Sequence, residues 1–170
     1  MKAELFWIDG PWQGRLAVMP RPRGGDWLED EIVSLNKMGI SVLVSTLTEP
    51  EIAELDLKEE QRLCEEHNIQ YISFPIEDRG VPHSSVTTSQ LVHRLEHELT
   101  NGKNVAIHCR MGVGRSALVA SSILVSAGID PKHALDRIQT ARGCAVPDTN
   151  EQRTWVQRFA KDILAPAVER

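Results

Sequence analysis

Five short apolar segments of strand length recur along the chain, and longer stretches with helical periodicity separate them. They are rich in β-branched or aromatic residues and cover Leu5–Ile8, Leu16–Met19, Val42–Ser45, Tyr71–Phe74 and Val105–His108. Strands that alternate with helices form an α/β layered fold, because parallel strands need a crossover connection between them. The sequence therefore predicts a single central, mostly parallel sheet of about five strands with helices on both faces.

The segments between these strands carry the end signals of helices. Asp26 followed by Glu29 matches a capping box, which predicts a helix over Trp27–Met38 that Gly39 ends. The other predicted helices are Lys58–Asn68, Ser85–Thr100, Ala117–Ala127, a helix from Pro131 to about Ala141 capped by Asp130, and one from Thr149 to about Leu164. Ligands bind beyond the carboxyl ends of parallel strands, so a site is expected in the loops that follow them.

Length and charge limit the classes of protein to which this chain can belong. Its 170 residues and 19.0 kDa are the size of one ordinary domain, predicted to cover residues 1–170. The 24 acidic residues outnumber the 19 basic ones, and the net charge of −5 argues against binding to nucleic acid or an anionic membrane. A hydrophobic share of 41% and a charged share of 25% argue against disorder.

No segment has the pattern of a targeting or membrane-spanning sequence. Acidic residues Glu4 and Asp9 stand where a signal peptide would be apolar. The apolar segment Ala117–Gly128 contains serines and is too short to span a bilayer. Three cysteines cannot all pair, as is typical of a reducing compartment. We therefore expect a cytoplasmic monomer without stable membrane insertion.

The loop after the last predicted strand has the composition of an anion-binding site. It runs from Cys109 through two glycines to Arg115 and Ser116, and an apolar helix follows. Inward-turned backbone amides and the helix N-terminus favour a bound anion, and the Arg115 guanidinium can hold two phosphate oxygens. A thiol in this positive field loses its proton more readily than a free thiol. The pattern predicts a Cys109 thiolate facing a phosphate, and an inert cysteine beside a common glycine turn is the alternative.

The segment His108–Ser116 resembles the H-C-x5-R-[ST] signature of the cysteine-based protein tyrosine and dual-specificity phosphatases. Phe74–Pro82 resembles the general-acid loop of the small branch that contains the kinase-associated phosphatase. Pro147–Gln152 resembles the late P-x-T-x-x-Q segment of that branch. The three segments occur in the family's order, and the resemblance covers most of the chain.

The resemblance implies a role for each matching residue. Cys109 would attack phosphorus and form a phosphocysteine intermediate, while Arg115 would bind the equatorial oxygens. Asp78 would protonate the leaving oxygen and then accept a proton from the hydrolytic water. A Cys109 thiolate together with a protonated Asp78 implies an acidic, bell-shaped pH profile. The phosphate would be bound by Arg110, Met111, Gly112, Val113, Gly114 and Arg115.

Supporting roles follow from the same resemblance. Ser116 would hydrogen-bond the sulfur, His108 would orient the loop, and Gln152 would help to place the water. Ser116 also fits as an ordinary first-turn residue, and Thr149 with Gln152 forms a capping box regardless of catalysis. Asp78 also fits as a turn residue beside a second carboxylate, Glu77 in the same loop, although the family pattern assigns the acid to Asp78.

Cys64 is a candidate redox partner of Cys109. The Leu-Cys-x-Glu-x-His run around it is similar to one in a lipid phosphatase of this family, where the cysteine forms a disulfide with the nucleophile. A buried structural thiol is the alternative. Cys144, in a predicted loop, has no evident role.

Other residues are expected to be structural. His93 and His97 share a helix face, but no further ligand completes a metal site, so we predict a solvated face. No metal or cofactor is expected. Trp7, Trp12 and Trp27 are predicted to pack in the core or at its edges.

The sequence leaves the substrate open. Members restricted to phosphotyrosine typically form a deep slot with an aromatic wall, but the single tyrosine, Tyr71, is predicted in a strand core. A phosphorylated protein or peptide carrying phosphotyrosine, and also phosphoserine or phosphothreonine, is therefore favoured. Arg79 and Arg110 would favour a more anionic substrate, so a phosphoinositide or inositol phosphate is the alternative. The loop Ser45–Pro50 is expected to wall the cleft.

Two other classes of protein share part of this pattern. A rhodanese-type sulfurtransferase also has a cysteine in a loop between strand and helix, but that loop is usually one residue shorter and needs no Asp78. A phosphopeptide-binding pseudo-enzyme would need the anion site without Cys109.

Overall fold

The computed structural model describes residues 4–164 and contains one five-stranded sheet. Its strands are β1 (Phe6–Ile8), β2 (Leu16–Met19), β3 (Ile40–Ser45), β4 (Gln70–Ser73) and β5 (Asn104–His108). They lie in the order β1-β2-β5-β3-β4, and β1 pairs antiparallel with β2 while the other neighbouring pairs are parallel. The predicted mostly parallel sheet is confirmed.

Seven α-helices lie within residues 4–164. They are α1 (Leu28–Lys37), α2 (Glu49–Glu54), α3 (Glu60–Glu66), α4 (Ser85–Thr100), α5 (Arg115–Ser126), α6 (Pro131–Arg142) and α7 (Asn150–Leu164). None of these helices combines the length and the apolarity needed to cross a membrane.

The helices pack on both faces of the sheet, because successive strand residues point to opposite sides. Val105 and Ile107 of β5 lie in a core shared with α4, α5, α6 and α7. Ala106, between them, lies in a second core shared with α1 and α3. The predicted two-sided arrangement is confirmed.

The central strand β5 determines where the site forms. Its last residue, His108, pairs in register with Met19 of β2 and with Ser45 of β3. Thr46, directly after β3, donates from its backbone N–H and its hydroxyl to the His108 carbonyl, at 3.0 and 2.9 Å. The segments that follow these three strands therefore meet at one edge of the sheet.

The start of α1 differs from the prediction. A 3-10 turn over Gly25–Trp27 precedes α1, so Asp26 lies inside a helical turn and no side chain caps α1. A capping side chain needs an extended backbone at its own position, so the predicted capping box of Asp26 and Glu29 is wrong. The predicted end at Gly39 is confirmed by its φ of 88°.

The segment after β3 contains a helix where a loop was predicted. The expected loop Ser45–Pro50 is shorter, because α2 begins at Glu49. A capping box starts α2: the Glu51 carboxylate accepts hydrogen bonds from the Thr48 backbone N–H at 2.9 Å and from its hydroxyl at 3.0 Å. This short helix brings Glu51 to the site.

Several smaller predictions can be compared with the structure. Asp130 caps α6 through the amides of the two residues after Pro131, as predicted. The predicted helix from Ala117 begins earlier, at Arg115, because the loop leads directly into α5. His93 and His97 are exposed, which confirms a solvated face.

The three early tryptophans do not share one environment. Trp7 and Trp12 are partly buried against the two cores, as predicted. Trp27 is 56% exposed, and the Arg23 guanidinium lies 4.6 Å from its ring centroid. Its predicted packing role is wrong, because the 3-10 turn directs this side chain to solvent.

Candidate active site

Cys109 directly follows β5 and is only 3% exposed. Its Sγ lies 3.3 Å from the Ser116 hydroxyl and accepts a hydrogen bond from the Gly112 backbone N–H at 3.2 Å. Burial alone would raise the pKa of the Cys109 thiol, but hydrogen bonds from the Ser116 side chain and from the backbone amides of Ser116, Gly112 and Val113 lower it below its usual value. The loop thus stabilises a thiolate.

Two glycines allow the loop to pass close to neighbouring segments. Gly112 has a φ of 75°, and a Cβ there would lie 2.7 Å from the Met19 carbonyl carbon and 2.8 Å from the Pro20 nitrogen. A Cβ on Gly114 would collide with the Asp148 carboxylate. Gly112 therefore requires glycine, because its Cβ would meet backbone atoms at a positive φ, whereas at Gly114 the clash is with an exposed side chain that can move aside.

Contacts outside the loop hold its backbone in place. Arg142 at the end of α6 donates to the carbonyl oxygens of Gly112 and Met111 at 3.3 and 3.1 Å. The Arg21 backbone N–H donates to the Arg110 carbonyl at 3.2 Å. On the inner side of the loop, the amides of Gly112, Val113 and Ser116 donate towards the sulfur.

Arg115, the first residue of α5, is held in place from several directions. It is 2% exposed, and its guanidinium donates to the two carboxylate oxygens of Glu51 at 2.8 and 2.9 Å. It also donates to the Ile76 carbonyl at 2.9 Å and lies 3.2 Å from an Asp78 carboxylate oxygen. The side chain is therefore fixed without a bound phosphate.

Glu51 is a site residue that the sequence analysis missed. Burial would raise the pKa of its carboxyl, but the bonds and charge of Arg115 together with the bonds from Thr48 lower it to about 2. Glu51 is therefore ionised across the physiological range. The Thr48-x-x-Glu51 pattern with Pro50 could have predicted α2. Nothing local in the sequence indicates the pairing with Arg115.

Asp78 lies in an exposed turn between β4 and α4. The Gly80 backbone N–H closes the turn on the Glu77 carbonyl at 2.8 Å, and Arg79 has a φ of 60°. The Asp78 side chain is 60% exposed, and one of its oxygens faces Arg115. The structure therefore brings Asp78 to the loop of Cys109, as the sequence predicted.

Gln152 links α7 to this turn. Its side-chain N–H donates to the Gly80 carbonyl at 3.0 Å, and its side-chain oxygen accepts from the Thr149 backbone N–H at 3.2 Å. The Gln152 backbone N–H donates to the Thr149 hydroxyl at 3.1 Å, which completes the predicted capping box. Gln152 is fully buried, so both ends of its amide are engaged in protein contacts.

A cavity of about 190 Å³ opens in front of the sulfur. It is lined by Asp78, Arg79, Cys109, Arg110, Met111, Arg115 and Asp148. A larger cavity of about 850 Å³ lies between β1 and α6, and its lining includes no residue that the sequence predicted for the site. The chemistry is therefore expected at the smaller cavity.

Arg110 lines the cavity, but its charge is already paired. Its guanidinium lies 3.0 Å from Glu54 and 3.5 Å from Glu51. Met111, next in the loop, is 62% exposed at the rim. The free positive charge near the site is smaller than the sequence suggested.

His108 lies on the opposite side of the loop from the cavity. Its Nε2 lies 2.7 Å from the Glu60 carboxylate, and its Nδ1 lies 3.2 Å from the Cys109 carbonyl oxygen. Burial would lower the pKa of His108, but the charge of Glu60 and the two hydrogen bonds raise it. Glu60 is a second residue that the sequence analysis missed.

Cys64 lies on α3 in the core shared with α1, and it is fully buried. Burial and the charges of Glu60 and Glu65 raise the pKa of its thiol far above the usual value. Cys64, Cys109 and Cys144 are all free thiols. A redox pairing of Cys64 with Cys109 stays a prediction.

Within the described ranges, no group of three or more His, Cys, Asp or Glu side chains is arranged to hold a metal ion.

Known proteins are similar to this chain in overall sequence and in fold. The cyclin-dependent kinase inhibitor 3 of Sus scrofa is 26% identical over 140 residues, which cover 81% of this chain and 66% of that protein. The chain thus spans just under two thirds of this relative. A crystal structure of kinase associated phosphatase, with its catalytic cysteine replaced by serine, is 21% identical and matches with a TM-score of 0.87, covering 98% of both chains. The active form of Tk-PTP is 25% identical, with a TM-score of 0.78 over 95% of this chain and 99% of that one.

A family model describes nearly the whole chain. The model named Swiss Army Knife protein, DSP-PTPase phosphatase domain (PTP-SAK), matches residues 5–161. That range includes the Cys109 loop, the Asp78 turn and Gln152. The chain belongs to this family of DSP-PTPase phosphatase domains.

Proposed function

We propose that this chain is a cysteine-dependent phosphatase that hydrolyses phosphate monoesters on proteins, both phosphotyrosine and phosphoserine or phosphothreonine. One observation carries the proposal: a buried cysteine with a lowered thiol pKa lines a small cavity beside a fixed arginine. Membership of the DSP-PTPase family and similarity to a kinase associated phosphatase support it.

In the first step, the Cys109 thiolate attacks phosphorus as the bond to the leaving oxygen breaks. The loop amides and the Arg115 guanidinium bind the equatorial oxygens and stabilise their charge in the transition state. Because Glu51 already holds Arg115, little rotamer freedom is lost when phosphate binds.

Asp78 supplies the proton that the leaving oxygen needs. A bound phosphate takes over the Arg115 N–H that faces Asp78, and the Asp78 carboxyl then lies beside the leaving group. In the second step Asp78 accepts a proton from water as the water oxygen attacks phosphorus and the S–P bond breaks. The Ser116 hydroxyl donates to the departing sulfur, so the thiolate is restored.

Gln152 holds the acid turn over the cavity in this proposal. Its bond to the Gly80 carbonyl anchors the turn two residues from Asp78. A role in placing the water stays a prediction, because both ends of the amide are engaged in protein contacts.

The cavity lining favours a phosphoprotein over an inositol phosphate. Arg110 is paired with Glu54, and Asp148 adds negative charge at the rim, so a polyanionic ligand would find few free cations. No aromatic side chain is among the cavity-lining residues that the structure describes. The described lining therefore lacks the aromatic wall of a deep slot restricted to phosphotyrosine. The shorter side chains of phosphoserine and phosphothreonine can then also reach the sulfur.

The test is a phosphate-release panel of phosphotyrosine, phosphoserine and phosphothreonine peptides, phosphoinositides and inositol phosphates, with Cys109→Ser as the blank. Release from the peptides and a blank without turnover are expected. Faster phosphate release from the phosphoinositides or inositol phosphates would show that these, and not phosphoproteins, are the substrate class. Multiple turnover by Cys109→Ser would show that Cys109 is not the nucleophile. Sulfur transfer from thiosulfate to cyanide, without phosphate release, would place the chain among the sulfurtransferases instead.

A further inference from the structure

A buried pair of titratable groups, Glu60 and His108, lies behind the catalytic loop. The two side chains are completely buried and their closest atoms are 2.7 Å apart. His108 points to the same face of β5 as Ala106, where α3 packs and where Glu60 is the first helical residue. Burying such a pair away from water is costly, so each of the two groups depends on the other for its hydrogen bond and its charge balance.

The hydrogen-bond partners restrict where the protons are. The Cys109 carbonyl oxygen can only accept, so the Nδ1 of His108 carries a proton directed at it. The 2.7 Å contact between Nε2 and Glu60 then holds one further proton. Either an imidazolium faces a carboxylate, or a neutral ring faces a carboxylic acid.

Among the neighbouring titratable groups that the structure describes, His108 is the one that can balance an ionised Glu60. Cys64 of α3 and Tyr71 of β4 lie near Glu60. A thiol and a phenol ionise only to anions, so neither can balance a carboxylate there. On the other side of the ring, the Cys109 thiolate favours a cation at His108.

Glu60 acts on the loop only through this ring. Its second oxygen is buried and has no hydrogen-bond partner among residues 4–164. The ring in turn contacts the Cys109 carbonyl, at the residue whose sulfur is the nucleophile. A change at Glu60 is therefore transmitted to Cys109 through the charge and orientation of the His108 ring.

We propose that Glu60 is a positioning residue of the catalytic loop, which keeps a second proton on the His108 ring and so maintains a buried cation directly behind the Cys109 thiolate. The role of this cation in catalysis rests on the proposed function. The charge arrangement itself does not, because it can be measured without turnover.

The first test observes the ring in the unaltered protein. Nitrogen-15 NMR of the His108 side chain at pH 7 should show two protonated nitrogens. A single protonated nitrogen would mean a neutral ring and a carboxylic acid, and the proposal would be wrong.

The second test measures the thiol. In Glu60→Gln the amide can donate a hydrogen bond to Nε2, but it has no negative charge to stabilise a positively charged ring. Burial then lowers the pKa of His108 and the ring becomes neutral. The midpoint of the pH profile for alkylation of Cys109 by iodoacetamide should then rise by about one pH unit. Glu59→Gln removes the same charge from an exposed neighbour and should not move the midpoint.

An unchanged midpoint in Glu60→Gln would overturn the proposal even if phosphatase activity fell. If that variant does not fold, the NMR measurement alone decides. A protein with the charged ring and a reactive thiol but without phosphate release would instead contradict the proposed function.

Discussion

Glu51 and Arg115 face each other through two parallel hydrogen bonds of 2.8 and 2.9 Å, although 64 residues separate them in the chain. The pair joins α2 to the start of α5 and fixes the guanidinium at the cavity that Cys109 also lines. Such a two-point contact restricts rotation in a way that a lysine could not reproduce. Arg115 is thus oriented before any substrate arrives.

We expect Glu51→Gln to weaken catalysis by loosening Arg115. The amide can accept only one of the two bonds, so the guanidinium gains freedom and kcat/KM for a phosphopeptide should fall about tenfold. Inhibition by inorganic phosphate should weaken in parallel. The control is Glu54→Gln, since Glu54 contacts Arg110 at the surface and not Arg115. An equal loss in both variants would show that general negative charge, rather than the pair, is responsible.

We expect the contribution of Glu51 to the free energy of unfolding to depend on pH. The pKa of Glu51 falls from 4.5 to about 2 on folding, so its contribution is complete above the unfolded value and declines as pH falls towards 2. Glu51→Gln should therefore lower the free energy of unfolding by about 2 kcal/mol at pH 7. That difference should shrink by about 1 kcal/mol at pH 3.5. Urea denaturation of both proteins at the two pH values measures it, and a constant difference would contradict the ionic origin.

We expect Asp78→Asn to slow the first step in a way that depends on the leaving group. An alkyl or tyrosyl oxygen needs a proton as it departs, so kcat for phosphopeptides should fall at least about 100-fold. Nitrophenyl phosphate, whose leaving group is a weak base, should lose much less. The basic limb of the pH–rate profile should flatten as well.

The neighbouring carboxylate is the control for this assignment. Glu77→Gln changes an exposed side chain in the same turn, one residue from Asp78, and should keep the leaving-group dependence of the original protein. If Glu77→Gln reproduces the phosphopeptide loss and Asp78→Asn does not, the acid is Glu77.

The part of the site that is contiguous in sequence could be predicted, and the part assembled by the fold could not. Cys109, Gly112 and Arg115 lie within seven residues after a strand, so local chemistry indicates their function. Glu51 and Glu60 reach the loop through α2 and α3, and only the sheet order brings these helices to the carboxyl end of β5. A sequence pattern can predict the helix that carries Glu51 but not the residue that it faces.

The charge balance at the site is likewise set by residues that only the fold brings together, so the sequence could not predict it. Arg110 was expected to attract an anionic substrate because it lies within the loop. The fold instead pairs it with Glu54, whose position the sequence analysis had assigned to no element. The net charge of a short segment is therefore a poor guide when carboxylates from another helix pack against it.

The last prediction concerns the backbone of the loop. Gly112→Ala places a Cβ 2.7 Å from the Met19 carbonyl carbon at a φ of 75°, so the loop must move away from β2. The Gly112 amide would then leave the Cys109 sulfur, and the alkylation midpoint of the thiol should rise together with a loss of activity. Strain and displacement together should lower stability by about 2 kcal/mol.

Gly128→Ala separates these effects. Gly128 also has a positive φ, 99°, but no atom lies within 4 Å of its added Cβ, and it lies at the end of α5 that is remote from the loop. This variant should lose about 1 kcal/mol from backbone strain alone and keep the thiol midpoint of the original protein. A raised midpoint in Gly128→Ala, or an unchanged one in Gly112→Ala, would show that the Gly112 amide does not contribute to the ionisation of Cys109, because Gly112 donates to the sulfur and Gly128 does not contact the loop.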